Sequence, residues 1–221
     1  MRVFFGATLP EITKNEIAEL ANSLRPSLRS ARFEGRDKLH ITLQFIGDFP
    51  ADRTRELFDF AAARLAKLHA RASQTDITAI NYFPNYRVRN GIWLDCRDDG
   101  ALARLSEVIK KASSAYGVVP ESRDFKSHIT IARIPRRFDP GERRGHSRKS
   151  YDRGGAHFPE DLQKLVSGGK LSVERFFPKS VALFESTLKP SGSEYKILYE
   201  YSLEKSEEEN TREGTSDGKG I

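Results

Sequence analysis

The stretch Leu39-His40-Ile41-Thr42-Leu43 reads as a strand with two unlike faces, and Ser127-His128-Ile129-Thr130-Ile131 repeats the pattern further along the chain. Successive side chains on a strand point to opposite sides. His40 and Thr42 therefore share one face, while Leu39, Ile41 and Leu43 take the other and can pack on helices. His128 and Thr130 are set apart from Ile129 and Ile131 in the same way. What precedes each triplet is also similar. The strand Val3-Phe4-Phe5, a helix and Arg36-Asp37-Lys38 lead to the first; the strand Ile92-Trp93-Leu94, a helix and Arg123-Asp124-Phe125-Lys126 lead to the second. The chain thus reads as a duplicated strand–helix–strand module, each copy delivering one His-Ile-Thr.

Strands are expected at 2–9, 39–46, 76–83, 91–96, 127–134, 171–176, 180–188 and 195–203. Apolar spacing predicts helices from Pro10 to Ala21, over 52–69 and from Asp99 to Tyr116. Ile12, Ile17, Leu20 and Leu24 form the first stripe; Leu57, Phe58, Ala61, Leu65 and Leu68 form the second; Leu102, Leu105, Val108 and Ile109 form the third. A short helix fits 159–166. The expected domain spans 1–203, with a Gly-, Arg- and Ser-rich loop at 136–157 and a disordered acidic tail at 204–221.

Bulk properties narrow the function classes. The 221 residues suffice for a sizeable core, and 38% hydrophobic with 31% charged residues suits a globular chain. Cys96 is the single cysteine, so there is no internal disulfide and no thiolate metal cluster. Val3-Phe4-Phe5 is stopped by Pro10 and Glu11, unlike a signal peptide, and no apolar run spans a bilayer. A cytoplasmic monomer is expected. The net charge is +6 although the tail carries six acids against three bases, so the body favours polyanionic partners.

An imidazole next to a hydroxyl suits phosphate chemistry. Free imidazole has a pKa near ~6.5 and moves protons near neutrality, and a Thr hydroxyl can donate to a phosphoryl oxygen. Two such pairs across a groove would flank one phosphorus atom. A lone His-Ile-Thr is ordinarily a surface or satisfied core feature. Two copies at matching places among five histidines are not, because packing has no need of His and Thr on the polar face. Zinc would need a further ligand. Asp37 and Asp124 stand three and four residues before their histidines, hence on unlike faces, so no metal and no other cofactor is expected. His69, His146 and His157 receive no catalytic role.

With these residues in view, the sequence resembles the two-histidine (2H) phosphoesterases, and within them the RNA 2′,3′-cyclic phosphodiesterase or 2′-5′ RNA ligase family. Met1-Arg2-Val3-Phe4-Phe5-Gly6-Ala7 with Leu9-Pro10 resembles the family's first strand, and Gly91-Ile92-Trp93-Leu94 its middle strand. Leu39 to Gly47 and Ser127 to Arg133 are similar to its two motifs. The resemblance implies an α+β, duplicated bilobal fold: two antiparallel sheets with helices outside and an active-site groove between the lobes. It implies hydrolysis of RNA 2′,3′-cyclic phosphate ends, or of small cyclic nucleotides, to 2′-phosphates without metal. By position, His40 would be the proton donor and His128 the proton acceptor, with Thr42, Thr130 and Arg133 binding phosphate.

The loop after Arg133 departs from the family, with seven bases against three acids between 136 and 157. Arg136, Arg143 and Arg144 are candidates to contact the RNA backbone. Phe83, Tyr86 and Tyr151 are candidates to stack on a terminal base, while Trp93, on a strand, is expected in the core. Two alternatives stand beside hydrolysis: 2′-5′ ligation at the same site, and a non-catalytic module that binds RNA ends.

Overall fold

The structure is a computed structural model, and it describes residues 1–26, 28, 31–82, 90–119, 124–134, 173, 175–190 and 192–203. In chain order these form β1 (Arg2–Thr8), α1 (Glu11–Leu24), β2 (Arg32–Phe33), β3 (His40–Asp48), α2 (Thr54–Lys67), β4 (Asp76–Tyr82), β5 (Asn90–Arg97), α3 (Ala101–Ser114), β6 (His128–Ile134), β7 (Ser180–Lys189) and β8 (Gly192–Ser202). Single turns of 3-10 helix, Arg36–Lys38 and Ala51–Arg53, lead into β3 and α2.

The strands make one antiparallel sheet in the order β4-β5-β6-β3-β1-β7-β8, with β2 added beside β6. This corrects the expectation of two separate sheets. Strands β3 and β6, which would each have been an edge, meet instead at one described pair, Ile41 opposite Ile129. Each half thereby hides an edge that would otherwise present unpaired backbone groups.

All three helices pack on one face. Ile17 and Leu24 of α1, Leu57, Phe58, Ala61 and Leu65 of α2, and Leu102, Leu105 and Ile109 of α3 are buried with Phe5, Ala7, Ile41, Leu43, Ile92, Leu94, Ile129 and Ile131 of the strands. The opposite face carries no helix among the described residues. No described helix is long and apolar enough to cross a membrane.

Several expectations are corrected. Ile12 and Leu68 are exposed, because the buried stripe of α1 centres on Thr13, Ile17, Ala21 and Leu24, and α2 ends at Lys67. The strand expected over 171–176 lies partly outside the described residues; of those described, Phe176 forms a bridge with Thr75. Beyond α2, His69 takes φ 47° as the chain turns out of the helix. Its amide donates to Ala66 O, and that of Ala70 to Leu65 O. This left-handed closure gives His69 a helix-ending role. The loop at 136–157, the helix at 159–166 and the tail from 204 lie outside the described residues.

Candidate active site

Because β3 and β6 run antiparallel through Ile41 and Ile129, the central residues of the two triplets face each other. Both isoleucines are fully buried toward the helices. Alternation then turns His40, Thr42, His128 and Thr130 to the open face together, His40 toward Thr130 and Thr42 toward His128. The two histidines, far apart in the sequence, become neighbours across one strand pair.

Each strand carries a bulge three residues after its histidine. Phe5 pairs with Gln44 and Gly6 with Thr42, so Leu43 is the extra residue of β3. Ile92 pairs with Ala132 and Trp93 with Thr130, so Ile131 is the extra residue of β6. A bulge leaves a backbone group out of the ladder and resets which side the following residues face. Here the freed carbonyls are both satisfied. Ser106 Oγ, fully buried on α3, donates to Leu43 O at 2.7 Å, and the Glu34 amide donates to Ile131 O at 2.9 Å. The second bulge brings Arg133 to the face of His128 and Thr130. In unbroken alternation it would have pointed into the core. The first brings Phe45, 44% exposed, to the corresponding place beside Thr42.

Both imidazoles are anchored alike. His40 Nδ1–H donates to Lys38 O at 2.7 Å, and His128 Nδ1–H donates to Lys126 O at 2.8 Å. A carbonyl can only accept, so the proton sits on Nδ1 and the neutral ring leaves Nε2 as its free base. Thr42 Oγ1 lies 3.1 Å from His40 Nε2, where its hydroxyl donates to the neutral ring.

The surroundings of the two rings differ. Gly6, which pairs with Thr42, leaves room for the His40 ring: a Cβ there would stand 3.1 Å from Ile41 O and from Phe184 Cε2, and 3.3 Å from His40 Cδ2. The His40 ring lies 4.8 Å from that of Phe4, 5.4 Å from Phe184 and 5.3 Å from Tyr195. At the corresponding place on β5 stands Trp93, edge-on to the His128 ring at 6.2 Å. Its Nε1–H donates to Asp95 Oδ1 at 2.8 Å, and Asn81 Nδ2 donates to the other oxygen of Asp95. Trp93 is thus half-exposed on the site face, which corrects its expected place in the core. The run Ile92-Trp93-Leu94 looks uniformly apolar, but only Ile92 and Leu94 are fully buried.

This asymmetry has an electrostatic counterpart. Burial pushes the His40 pKa down to about 4, and the nearby charges of His128 and Arg133 push the same way, against the bond to Lys38 O. At neutral pH His40 is therefore neutral. Arg133 Nε donates to Glu34 Oε1 at 2.7 Å, an ion pair that fixes the guanidinium near His40.

All five residues singled out for proton transfer and phosphate binding, His40, His128, Thr42, Thr130 and Arg133, therefore share one face. The stacking and backbone candidates Phe83, Tyr86, Tyr151, Arg136, Arg143 and Arg144 lie outside the described residues. Sequence reasoning missed Gly6, Glu34, Phe45, Asp95 and Tyr195. Strict alternation applied to Trp93 and Asp95 would have found those two, whereas Glu34 and Phe45 depend on bulges that no local signal marks. Among the described residues no cluster of His, Cys, Asp and Glu could hold a metal ion.

Comparison with known proteins gives concordant matches. The family model for LigT like phosphoesterase matches residues 8–93, which contain the first triplet. A Thermus thermophilus protein named RNA 2′,3′-cyclic phosphodiesterase is 28% identical over 211 residues, covering 92% of this chain and 90% of its own. A Methanocaldococcus jannaschii protein of the same name is 24% identical over 201 residues, covering 91% of this chain and all of its own. Among solved structures, TT0787 of Thermus thermophilus superposes with a TM-score of 0.61 at 22% identity, covering 92% of this chain and 98% of that one. E. coli LigT in its apo form gives 0.60 at 20%, covering 92% and 97%. The matched N-terminal part and the shared fold make this chain similar to the LigT-like phosphoesterases.

Proposed function

We propose that the protein hydrolyses 2′,3′-cyclic phosphate ends of RNA, and small 2′,3′-cyclic nucleotides, to 2′-phosphomonoesters without a metal ion. The observation that carries this reading is the antiparallel pairing of Ile41 with Ile129, which turns both His-Thr pairs to one face. The names of the full-length relatives support the same substrate class.

In this reading His128 Nε2 takes a proton from water as its oxygen attacks phosphorus. The bond from phosphorus to the 3′ oxygen breaks, and His40 Nε2–H gives that oxygen its proton. The product is a 2′-phosphate and a 3′-hydroxyl, and the step ends with His128 protonated and His40 neutral. The Nδ1 anchors on Lys38 O and Lys126 O hold each Nε2 toward the phosphate. Thr42, Thr130 and the outer nitrogens of Arg133 donate to the non-bridging oxygens, where charge grows in the transition state. His40 must be protonated to act as donor. An anionic phosphate beside His40 favours the charged ring, against the burial that chiefly depresses its pKa.

The test is turnover of a nucleoside 2′,3′-cyclic phosphate in the presence of EDTA. Hydrolysis to the 2′-phosphate is expected, with His40→Ala and His128→Ala each lowering its rate by roughly 10²–10⁴-fold. Full activity in either variant, or loss of wild-type activity on chelation, overturns the reading.

A further inference from the structure

Strand β2 pairs with β6 so that Arg32 lies directly opposite Arg133, and Phe33 opposite Ala132. Phe33 packs on the main core, which sends Arg32 and Glu34 to the other face, the one that carries Arg133. Two guanidiniums directly across a strand pair repel each other. Glu34 meets one of them, Arg133, and its carboxylate is mostly buried. Among the described residues Arg32 has no ion pair, and it is exposed. It is nonetheless seated. A Cβ on Gly192, at the start of β8, would stand 2.9 Å from Arg32 Cζ, so the guanidinium rests against a backbone position that has no side chain. Gly192 has φ 123°, a conformation in which L side chains are rarely found.

The result is a net positive notch at the His40 end of the site. Glu34 holds Arg133 through Nε, while among the described residues no side chain or carbonyl accepts a hydrogen bond from Arg32. A like-charged pair held in register with one counter-charge among the described residues suits an anion, since one cation is compensated there and the other is not.

We propose that Arg32 binds the internucleotide phosphodiester next to the terminal cyclic phosphate, while Arg133 serves the reacting phosphate itself. This rests on the function proposed above and adds that the site distinguishes an RNA end from a mononucleotide. Neighbouring cross-strand positions stand roughly 5 Å apart at Cβ, so two long arginine side chains can reach two consecutive phosphates of one strand. Such a contact is sequence-independent and weakens with salt.

The experiment compares the affinity of the full chain for a dinucleotide with a 3′-terminal phosphate against that for the matching mononucleoside 3′-phosphate, at two salt concentrations. Arg32→Ala is expected to lower the ratio of the two affinities by about tenfold, as for one lost charge-assisted contact. It should also flatten the salt dependence of dinucleotide binding by about one ion's worth. Arg32→Lys, which keeps the charge, should restore most of the salt dependence. An unchanged ratio overturns the proposal. So does an equal loss on both ligands, which would assign Arg32 to the reacting phosphate or to the fold. Wild-type turnover of the mononucleoside 2′,3′-cyclic phosphate judges the proposed activity separately, since the binding ratio can be read whether or not the compound is cleaved.

Discussion

Gly6 and Trp93 occupy corresponding places beside the two triplets, Gly6 paired with Thr42 and Trp93 paired with Thr130. Where the glycine stands, His40 sinks among Phe4, Phe184 and Tyr195; where the tryptophan stands, His128 meets the edge of a ring. The backbone of the site is nearly two-fold, and its chemistry is not. The difference in side-chain bulk beneath the rings separates the environments of two otherwise matched imidazoles.

Filling the space beside His40 should therefore disable it. A Gly6→Val side chain would press on Ile41 O, Phe184 and His40, and kcat is expected to fall by about tenfold or more as the ring loses its position. Gly91→Ala is the control, since a Cβ there meets nothing closer than Ala132 O at 3.7 Å. Steady-state kinetics of both variants, with circular dichroism to confirm folding, check this. Equal effects would show that space beside the ring is not what matters.

The two histidines should each be worth roughly 10²–10⁴ in kcat, the usual range for one positioned proton transfer. His128→Ala should do this with little change in melting temperature, because the His128 ring is only partly covered. His40→Ala should also lower the melting temperature, because its ring packs among three aromatic side chains. Rates and thermal unfolding of the two variants give both quantities.

The pH behaviour follows from His40. Its folded pKa is depressed to about 4, whereas the unfolded ring titrates near its ordinary value of 6.5. Between those values the unfolded chain binds the extra proton, so this ring's contribution to stability is full above pH 6.5 and is lost as pH falls toward 4. Denaturant titrations over that window should show the decline, and His40→Gln should remove that part of it. In a proton NMR titration the His40 resonance should move near pH 4 in the free protein and at higher pH once inorganic phosphate is added. A value that stays near 4 with phosphate bound would exchange the roles, making His40 the proton acceptor.

The cap on the first bulge should be measurable as stability. Ser106→Ala leaves the Leu43 carbonyl without its buried donor, a loss of about 1–3 kcal/mol. Urea unfolding reads this. Because Leu43 follows Thr42 directly, a fall in turnover should accompany the loss of stability.

Much of this is legible in the sequence, and the reasons are local. The identity of the site rests on alternation in Leu39-His40-Ile41-Thr42-Leu43 and in its second copy, a periodicity of two that no tertiary contact has to supply. Helix spacing gives Ile17, Leu57 and Leu102 their buried places, but not the exposure of Ile12 and Leu68 at element ends. The single sheet is not legible, because the join rests on one long-range pair, Ile41 with Ile129, that neither strand announces. Trp93 reads as core because an apolar neighbour on each side hides alternation. Arg133 is placed by resemblance, while the bulge that turns it outward and the Glu34 carboxylate that holds it are invisible to any local pattern.

The meeting of β3 and β6 at one described residue pair also governs what sequence variation the site can bear. Shifting either strand by a single position would rotate its His and Thr to the helix side and bring Ile to the open face. An insertion or deletion just ahead of either triplet, in Lys38-Leu39 or in Lys126-Ser127, would therefore leave both motifs readable in the sequence while dismantling the alignment they depend on. Intact triplets in a relative of this chain are a guide to activity only when the spacing that sets their register is intact as well.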